Sequence, residues 1–314
     1  MTAYLIDSSI YIFQAHFSPH VECSDTDGED LSALYGFSQF LLQFLRRERP
    51  TVVAAAMDES LFCGFRHSLC DVYKSNRELP DENLARQLKG CAELCEVFGI
   101  SSFGSRTYEA DDIIGTLARR LRESGTPGTA SIAIVSRDKD LAQLLKSDQD
   151  FLWDYQKNLK RTCVEIQADF GVTPAQIPDY LGLIGDAVDC IGGVPGLGPV
   201  KGRALLQEYD CLDEIYNNLD QIPHLPVRGA GKLVQLLEKH RKLAYLSKTL
   251  ATIVDDVQCE EERFSVLPLD ALFRRPADTD LLADFLARYK FQTGFSDSMV
   301  RAVSRLNEQR SQGS

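Results

Sequence analysis

No stretch of the 314 residues approaches the length of an apolar membrane span. The opening segment MTAYLIDSSIYIFQAHF lacks a basic leader region and a small-residue cleavage site and carries Asp7, so it reads as a first β-strand and not a signal peptide. The nine cysteines form no CxxC pair and no Cys/His cluster, which argues against structural zinc. Cys91 and Cys95 stand at helical i,i+4 spacing, and reduced thiols in a cytoplasmic protein fit this usage. Positive charge is short: 34 Lys and Arg against 46 Asp and Glu leave a net charge of −12. A protein that coats nucleic acid with its whole surface is normally basic, so any phosphate contact here must be local. The exception is an acid that serves as a metal ligand, whose charge a cation would offset.

What is present is the alternation of a parallel α/β fold. The runs AYLIDSS, TVVAAAMDES and ASIAIVSRDKD are short, rich in Val, Ile and Ala, and separated by segments of helical length. NLARQLKGCAELCEVFGI and YEADDIIGTLARRLRESG have helical periodicity, with Gly99 and Gly125 as C-terminal stops. FLWDY reads as a further strand, and from about Thr162 onward helices joined by Pro/Gly turns dominate. DTDLLADFLARYKF is a late amphipathic helix, CSDTDGED a solvated acidic loop, and the terminal NEQRSQGS a frayed tail. The predicted organisation is an α/β core at 1–167, a helical region at 168–260 and a helical extension at 261–314.

The strand-like runs all end on acid. In open parallel sheets ligands bind outside the carboxyl ends of the strands, so Asp7, Asp58, Asp138 and Asp140 are expected at one rim. Glu109, Asp111 and Asp112 open a helix, and Asp186 and Asp189 precede a glycine-rich turn. Hard oxygen ligands in such number suit Mg²⁺ or Mn²⁺, and a pair of ions can stabilise the attacking and leaving oxygens of phosphodiester hydrolysis. EADD alone is equally an ordinary N-terminal helix turn, and SRDKD an ordinary helix start. Their occurrence together with the strand-end acids favours a metal site.

Two basic segments could meet phosphate. In FRHSLCDVYKSNR, Arg66, Lys74 and Arg77 flank Tyr73, which could stack on a base, although the stretch is also compatible with a solvated loop. GVPGLGPVKGRALL has the wrong glycine spacing for a dinucleotide fingerprint and no Lys-Ser/Thr pair of a Walker loop. It reads as a helix-hairpin-helix turn or as a plain packing hairpin. In the first case Gly196 and Gly198 let backbone N–H groups approach a phosphate, with Lys201 and Arg203 nearby.

At this point the residues resemble the 5′-nucleases, a family that includes the nuclease domain of bacterial DNA polymerase I, phage 5′-exonucleases and flap endonucleases. The resemblance rests on FRHSLCDVYKSNRELP, YEADDIIGTLA, SRDKDLAQLL and GDAVDCIGGVPGLGPVKGRALL, in family order and spacing. It implies a PIN-like nuclease core with a helical arch near 66–100. It assigns Asp7, Asp58, Glu109, Asp111 and Asp112 to a first metal site and Asp138, Asp140, Asp186 and Asp189 to a second. It matches Lys74 and Arg77 to residues that contact the scissile phosphate and the threaded strand. The hairpin resembles a duplex-binding turn that often holds K⁺ through backbone carbonyls, here those of Val194 and Leu197. The implied activity is 5′-3′ exonuclease and 5′-flap endonuclease on nicked, flapped or branched DNA, in replication and repair, with about two Mg²⁺ or Mn²⁺ ions. A monomer is expected because no uninterrupted apolar face stands out, and no membrane partner because no run reaches the length of a span. No polymerase-like sequence follows, so the chain looks like a stand-alone nuclease.

The chain departs from the family pattern at Ser8 and Gln14, where Gly and Arg are usual, at Arg137, where a small or neutral residue is usual, and at DCIGG, where the usual sequence is Asp-Asn-Ile-Pro-Gly. The last change could loosen the loop carrying Asp189. A junction-binding protein without catalysis would be marked by missing carboxylates, and a small ribonuclease by a missing hairpin; this sequence has both features.

Overall fold

The computed structural model describes residues 1–124 and 131–311, and these divide into two compact units. The first comprises Met1–Glu59, Leu79–Ser136 and Asp255–Ser314; the second comprises Ser60–Glu78 and Arg137–Val254. Side-chain anchoring holds each division together. Arg120 donates to the carbonyls of Phe264 (2.8 Å) and Leu267 (2.6 Å), which holds the returning C-terminal segment within the first unit. Arg66 is buried and donates to the carbonyls of Leu250 (2.9 Å) and Thr252 (2.7 Å), which holds the segment 60–78 within the second. Residues 66–78 therefore lie in the second unit and residues 79–100 in the first.

The first unit is built on four parallel strands, β1 (Thr2–Asp7), β2 (Val52–Asp58), β3 (Ser101–Ser105) and β4 (Ser131–Val135), in the order β3-β2-β1-β4. Ala3, Leu5 and Ile6, the run Val52–Ala56 and the run Ile132–Val135 are almost fully buried. Continuous burial of this kind is what strands covered on both faces require. Helices Ser32–Glu48 and Ala110–Glu123 contribute Phe37, Leu41, Phe44, Ile113, Ile114 and Leu117 to the same core. β3 lacks an apolar run, and sequence reading missed it. Its SSFGS sequence alternates buried and half-buried positions, which suits the end of the order, where only one side pairs.

Helix Glu82–Val97 stops where expected: Gly99 has φ +75°, and a Cβ there would lie 2.2 Å from the Arg275 carbonyl. The second predicted stop, Gly125, lies outside the described residues. CSDTDGED is a largely exposed loop, as the sequence predicts, ordered by Asp25. Asp25 is buried, its Oδ1 accepts the N–H groups of Asp27 and Glu29, and Lys290 pairs with Asp27. The tail expected to fray is helical to Ser311 as part of Thr293–Ser311, and residues 312–314 lie outside the described residues.

The second unit contains the antiparallel pair β5 (Phe151–Asp154) and β6 (Leu159–Arg161) and then helices, as the sequence predicts. Helices Cys163–Phe170, Ile177–Ile184, Pro199–Glu208, Leu212–Asn217 and Ala230–Ala251 follow in order. Ile177–Ile184 and Ala230–Ala251 approach closely at Gly182, where a Cβ would meet Lys248 Cβ at 2.9 Å. Lys248 Nζ pairs with Asp179 Oδ1 at 2.6 Å across the same contact. Among the described residues no helix is long and apolar enough to cross a membrane, and the nine cysteines are free thiols.

Candidate active site

In the first unit, Asp7 ends β1 and Asp58 ends β2, and the parallel register pairs Asp7 with Ala56, so both acids stand at the carboxyl edge. Asp7 is buried and accepts a 2.8 Å hydrogen bond from Ser136 Oγ, the residue that follows β4. The Asp58 N–H donates to Ser9 Oγ at 2.9 Å. Glu109 and Asp112 close a reciprocal capping box on helix Ala110–Glu123, in which Asp112 accepts the Glu109 N–H at 3.0 Å. Asp111 is half-buried in the same first turn. Glu109 and Asp112 thus carry a capping role.

In the second unit, Asp138, Asp186 and Asp189 act electrostatically on Asp140. Asp138 Oδ1 accepts the Asp140 N–H at 2.9 Å. Burial, then the charge of Asp138, with Asp186 and Asp189 adding, pushes the Asp140 carboxyl up to about 8, and Lys139 opposes them. Asp140 Oδ1 is buried without a hydrogen-bond partner among the described residues. Lys139 Nζ sits 2.7 Å from Asp186 Oδ2. Asp189 receives Arg77 Nη2 at 2.9 Å and Lys74 Nζ at 3.8 Å, and its carbonyl accepts the Lys74 N–H at 3.0 Å. Asp186 and Ile191 exchange backbone hydrogen bonds of 2.9 and 2.8 Å, so the DCIGG loop is pinned on both sides of Asp189. Cys190 occupies the left-handed region at φ +57°.

Among the described residues no group of three or more His, Cys, Asp or Glu is preassembled to hold an ion. The carboxylates are instead engaged by Ser136, by the capping box and by Lys139, Lys74 and Arg77. The donor chemistry of the second-unit set nevertheless fits a hard divalent cation: oxygen ligands only, excess negative charge, and one buried carboxylate oxygen unpartnered.

Sequence reading passed over Lys139, which lies inside SRDKD and was read for its acids alone. It also passed over buried Gln143, which donates to the Asp140 and Ala251 carbonyls (2.9 and 3.0 Å) and accepts the Ile253 N–H (3.0 Å). The only signal for Gln143 was its place on the Asp140–Leu144 turn, three residues after Asp140. Arg137, a departure from the family pattern, points to Asp154 at 3.5 Å, and Gln14 is half-buried on helix Ser8–His16.

Two expected DNA contacts are corrected. Arg66 is 3% exposed, with its guanidinium spent on backbone carbonyls, so it presents no donor fork to a phosphate. Tyr73 is 2% exposed and lies edge-on to His67, which leaves no face for a base. Both positions pack because an arginine stem and an aromatic ring bury well when their polar ends find partners.

The glycine turn joins two helices as a hairpin. Ile177–Ile184 ends at Gly185 (φ +77°), the Val194 N–H donates to the Leu183 carbonyl at 2.7 Å, and Gly198 caps Pro199–Glu208. Gly196 has φ +84°, and Gly202 lies against Ile184 and Tyr180, so the two helices are close-packed. Val194 and Leu197 are buried, and the Val194 carbonyl accepts the Leu197 N–H at 3.0 Å. Lys201 and Arg203 are half-buried in the first turns of the second helix.

Comparison with known proteins then decides the family. The N-terminal resolvase-like domain of 5′-3′ exonucleases matches residues 2–171, and their C-terminal SAM fold matches residues 172–271. The chain belongs to the 5′-3′ exonuclease family and is a nuclease. A 5′-3′ exonuclease of Buchnera aphidicola subsp. Baizongia pistaciae is 31% identical over 289 residues, 91% of either chain. DNA polymerase I of Bacillus subtilis is 33% identical over 260 residues, 82% of this chain and 28% of that enzyme, so the chain spans well under a third of such relatives. Bacteriophage T5 5′-exonuclease, solved with bound zinc ions, shares the fold at a TM-score of 0.63 and 17% identity, covering 98% of this chain and 100% of that one. The catalytic core of Rad2 in complex with DNA does so at a TM-score of 0.60 and 17% identity, covering 96% and 92%.

Proposed function

We propose that this protein is a structure-selective 5′ nuclease that hydrolyses DNA phosphodiesters at 5′ ends, flaps, nicks and branch points in replication and repair, acting as a monomer in the cytoplasm. The observation that carries the reading is the acidic set Asp138, Asp140, Asp186 and Asp189, in which Asp140 and Asp186 are buried and one Asp140 oxygen has no hydrogen-bond partner among the described residues, while Lys139 pairs with Asp186 and Lys74 and Arg77 with Asp189. Carboxylates gathered in such number, partly buried, are costly unless cations compensate their charge.

In this reading Asp7, Asp58, Glu109, Asp111 and Asp112 hold one Mg²⁺ or Mn²⁺, and the second-unit acids hold another. Such ions, when bound, neutralise charge on the phosphodiester and on the attacking and leaving oxygens. Lys74 and Arg77 exchange Asp189 for the phosphates of the 5′ strand, a like-for-like replacement of one oxyanion by another. The hairpin takes a duplex phosphate on the N–H groups at Gly196 and Gly198 with Lys201 and Arg203, and reads no bases. A K⁺ on the carbonyls of Val194 and Leu197 would fix the turn.

The deciding experiment is cleavage of a 5′-labelled flap in Mg²⁺ by the wild type and by Asp186→Ala, with binding measured in Ca²⁺. Cutting near the junction by the wild type, and binding without cutting by the variant, supports the reading. Binding without cutting by the wild type in both Mg²⁺ and Mn²⁺ makes the chain a junction-binding protein.

A further inference from the structure

Away from the acids, the first unit contains a cavity of about 290 Å³ whose polar lining is Arg49, Thr51, Arg274, Gln309 and Arg310, with Pro50 and Leu306 also lining it. Its size is near the lower end for small-ligand sites. No carboxylate is among its lining residues. Most of the lining, Arg274, Leu306, Gln309 and Arg310, lies beyond residue 271, where the match to the family models stops.

The Arg274 guanidinium is only partly satisfied by acceptors among the described residues. Arg274 is 3% exposed, its Nε makes a long 3.4 Å hydrogen bond to the Phe98 carbonyl, and its Nη2 is buried without a hydrogen-bond partner among the described residues. Arg310 Nη2 donates to the Arg274 carbonyl at 2.5 Å, which brings a second guanidinium to the same residue. Burial pushes the Arg274 guanidinium down to about 10, and the charge of Arg310 adds to the shift. A buried donor without an acceptor costs on the order of 1–3 kcal/mol, more for a charged one. Gathering like charges adds to that cost, and an oxyanion removes both penalties at once.

We propose that this cavity is an oxyanion site that takes a phosphate group, bound by Arg274 and Arg310 from the C-terminal extension and by Arg49 from the turn before β2. Thr51 and Gln309 supply polar side chains that can donate to the remaining oxygens. A phosphate is favoured over a carboxylate because three guanidiniums offer more donors than two oxygens can accept, while phosphate presents up to four. Inorganic phosphate and a phosphate of the DNA backbone share this chemistry.

The test is calorimetric titration of the full chain with inorganic phosphate in EDTA at low ionic strength. The wild type should bind saturably, and Arg49→Asn should weaken binding at least fivefold. Arg49 is exposed at φ +46°, a conformation asparagine tolerates, so this variant keeps the fold. Arg274→Met, checked for native circular dichroism, should abolish binding, and Lys201→Ala should leave it unchanged. Absence of saturable binding in the wild type overturns the site. So does binding that falls with Lys201→Ala but not with Arg49→Asn. Flap binding in Ca²⁺ by Arg49→Asn then separates the sources: unchanged affinity assigns the pocket to a free phosphate, and weakened affinity with a shallower salt dependence assigns it to a DNA phosphate.

Discussion

Lys139 Nζ lies 2.7 Å from Asp186 Oδ2, so the residue between two candidate ligands, Asp138 and Asp140, neutralises a third. Lys139 is half-exposed while Asp186 is buried, and the pairing draws the lysine's pKa upward despite its partial burial. A cation entering this set competes with an ammonium already in place.

The first expectation follows from that competition. Lys139→Met should lower the melting temperature in EDTA by a few degrees, since about 1 kcal/mol of pairing to a buried acid is lost and the acids repel one another. Added Mg²⁺ should then stabilise the variant more than it stabilises the wild type. Differential scanning fluorimetry with EDTA or Mg²⁺ measures both; equal Mg²⁺ shifts in the two proteins would show that Lys139 does not compete with metal.

Asp140 sets a pH dependence. Its folded pKa of about 8 stands above the usual carboxylate value because of burial first and the Asp138 charge second. A group raised on folding contributes stability that is complete below the unfolded pKa and is lost as pH rises through the folded one. Metal-free wild type should therefore weaken between about pH 4 and pH 8 more than Asp140→Asn does, with the variant ahead by about 2 kcal/mol or more at pH 8.5. Urea denaturation in EDTA across that range checks it, and parallel pH profiles would place the Asp140 carboxylate in water.

Arg66 separates a structural role from a DNA role. With its Nε and Nη2 on the carbonyls of Leu250 and Thr252, Arg66→Met should cost about 3 kcal/mol by leaving buried acceptors unpaired. DNA affinity of the fraction that remains folded should stay within twofold. Denaturation midpoints together with flap binding in Ca²⁺ distinguish this from a phosphate contact, which would reduce affinity and leave stability intact.

The legible part of the fold was what periodicity and strand-end acids record. β1, β2 and β4 were readable because buried parallel strands concentrate Val, Ile and Ala, and β5 because FLWD gathers large apolar residues; β1, β2 and β5 end on an acid, and β4 is followed three residues on by Asp138. β3 was not, because an end strand needs only alternate burial, and Ser, Phe and Gly meet that without an apolar run. At the candidate site the acids announced themselves, while their partners did not. Ser136, Lys139 and Gln143 act through distances of 2.7 to 3.0 Å that only the folded chain brings about. Arg66 and Tyr73 misled for the opposite reason: a basic and an aromatic residue in a polar stretch look like a nucleic-acid contact, and the burial that removes them from solvent leaves no local signature.

Cys190 gives the last expectation. The resembling family places asparagine here, and the backbone explains why: at φ +57° a side chain crowds the carbonyl, a cost that asparagine bears better than cysteine. The conformation is imposed by its surroundings. Asp186 and Ile191 are joined by paired backbone hydrogen bonds across four residues, and a Cβ on Gly193 would lie 2.2 Å from the Gly185 nitrogen, so the loop has no room to relax. Cys190→Asn should therefore stabilise the protein by about 0.5–1 kcal/mol. Cys190→Val, β-branched in the same conformation, should destabilise it by at least as much. Because Lys74 and Arg77 fasten Asp189 from the other side, neither change should alter flap binding in Ca²⁺ by more than about twofold. Urea midpoints of the three proteins test the argument, and a stability order with valine above asparagine would show that the loop adopts another backbone conformation in solution.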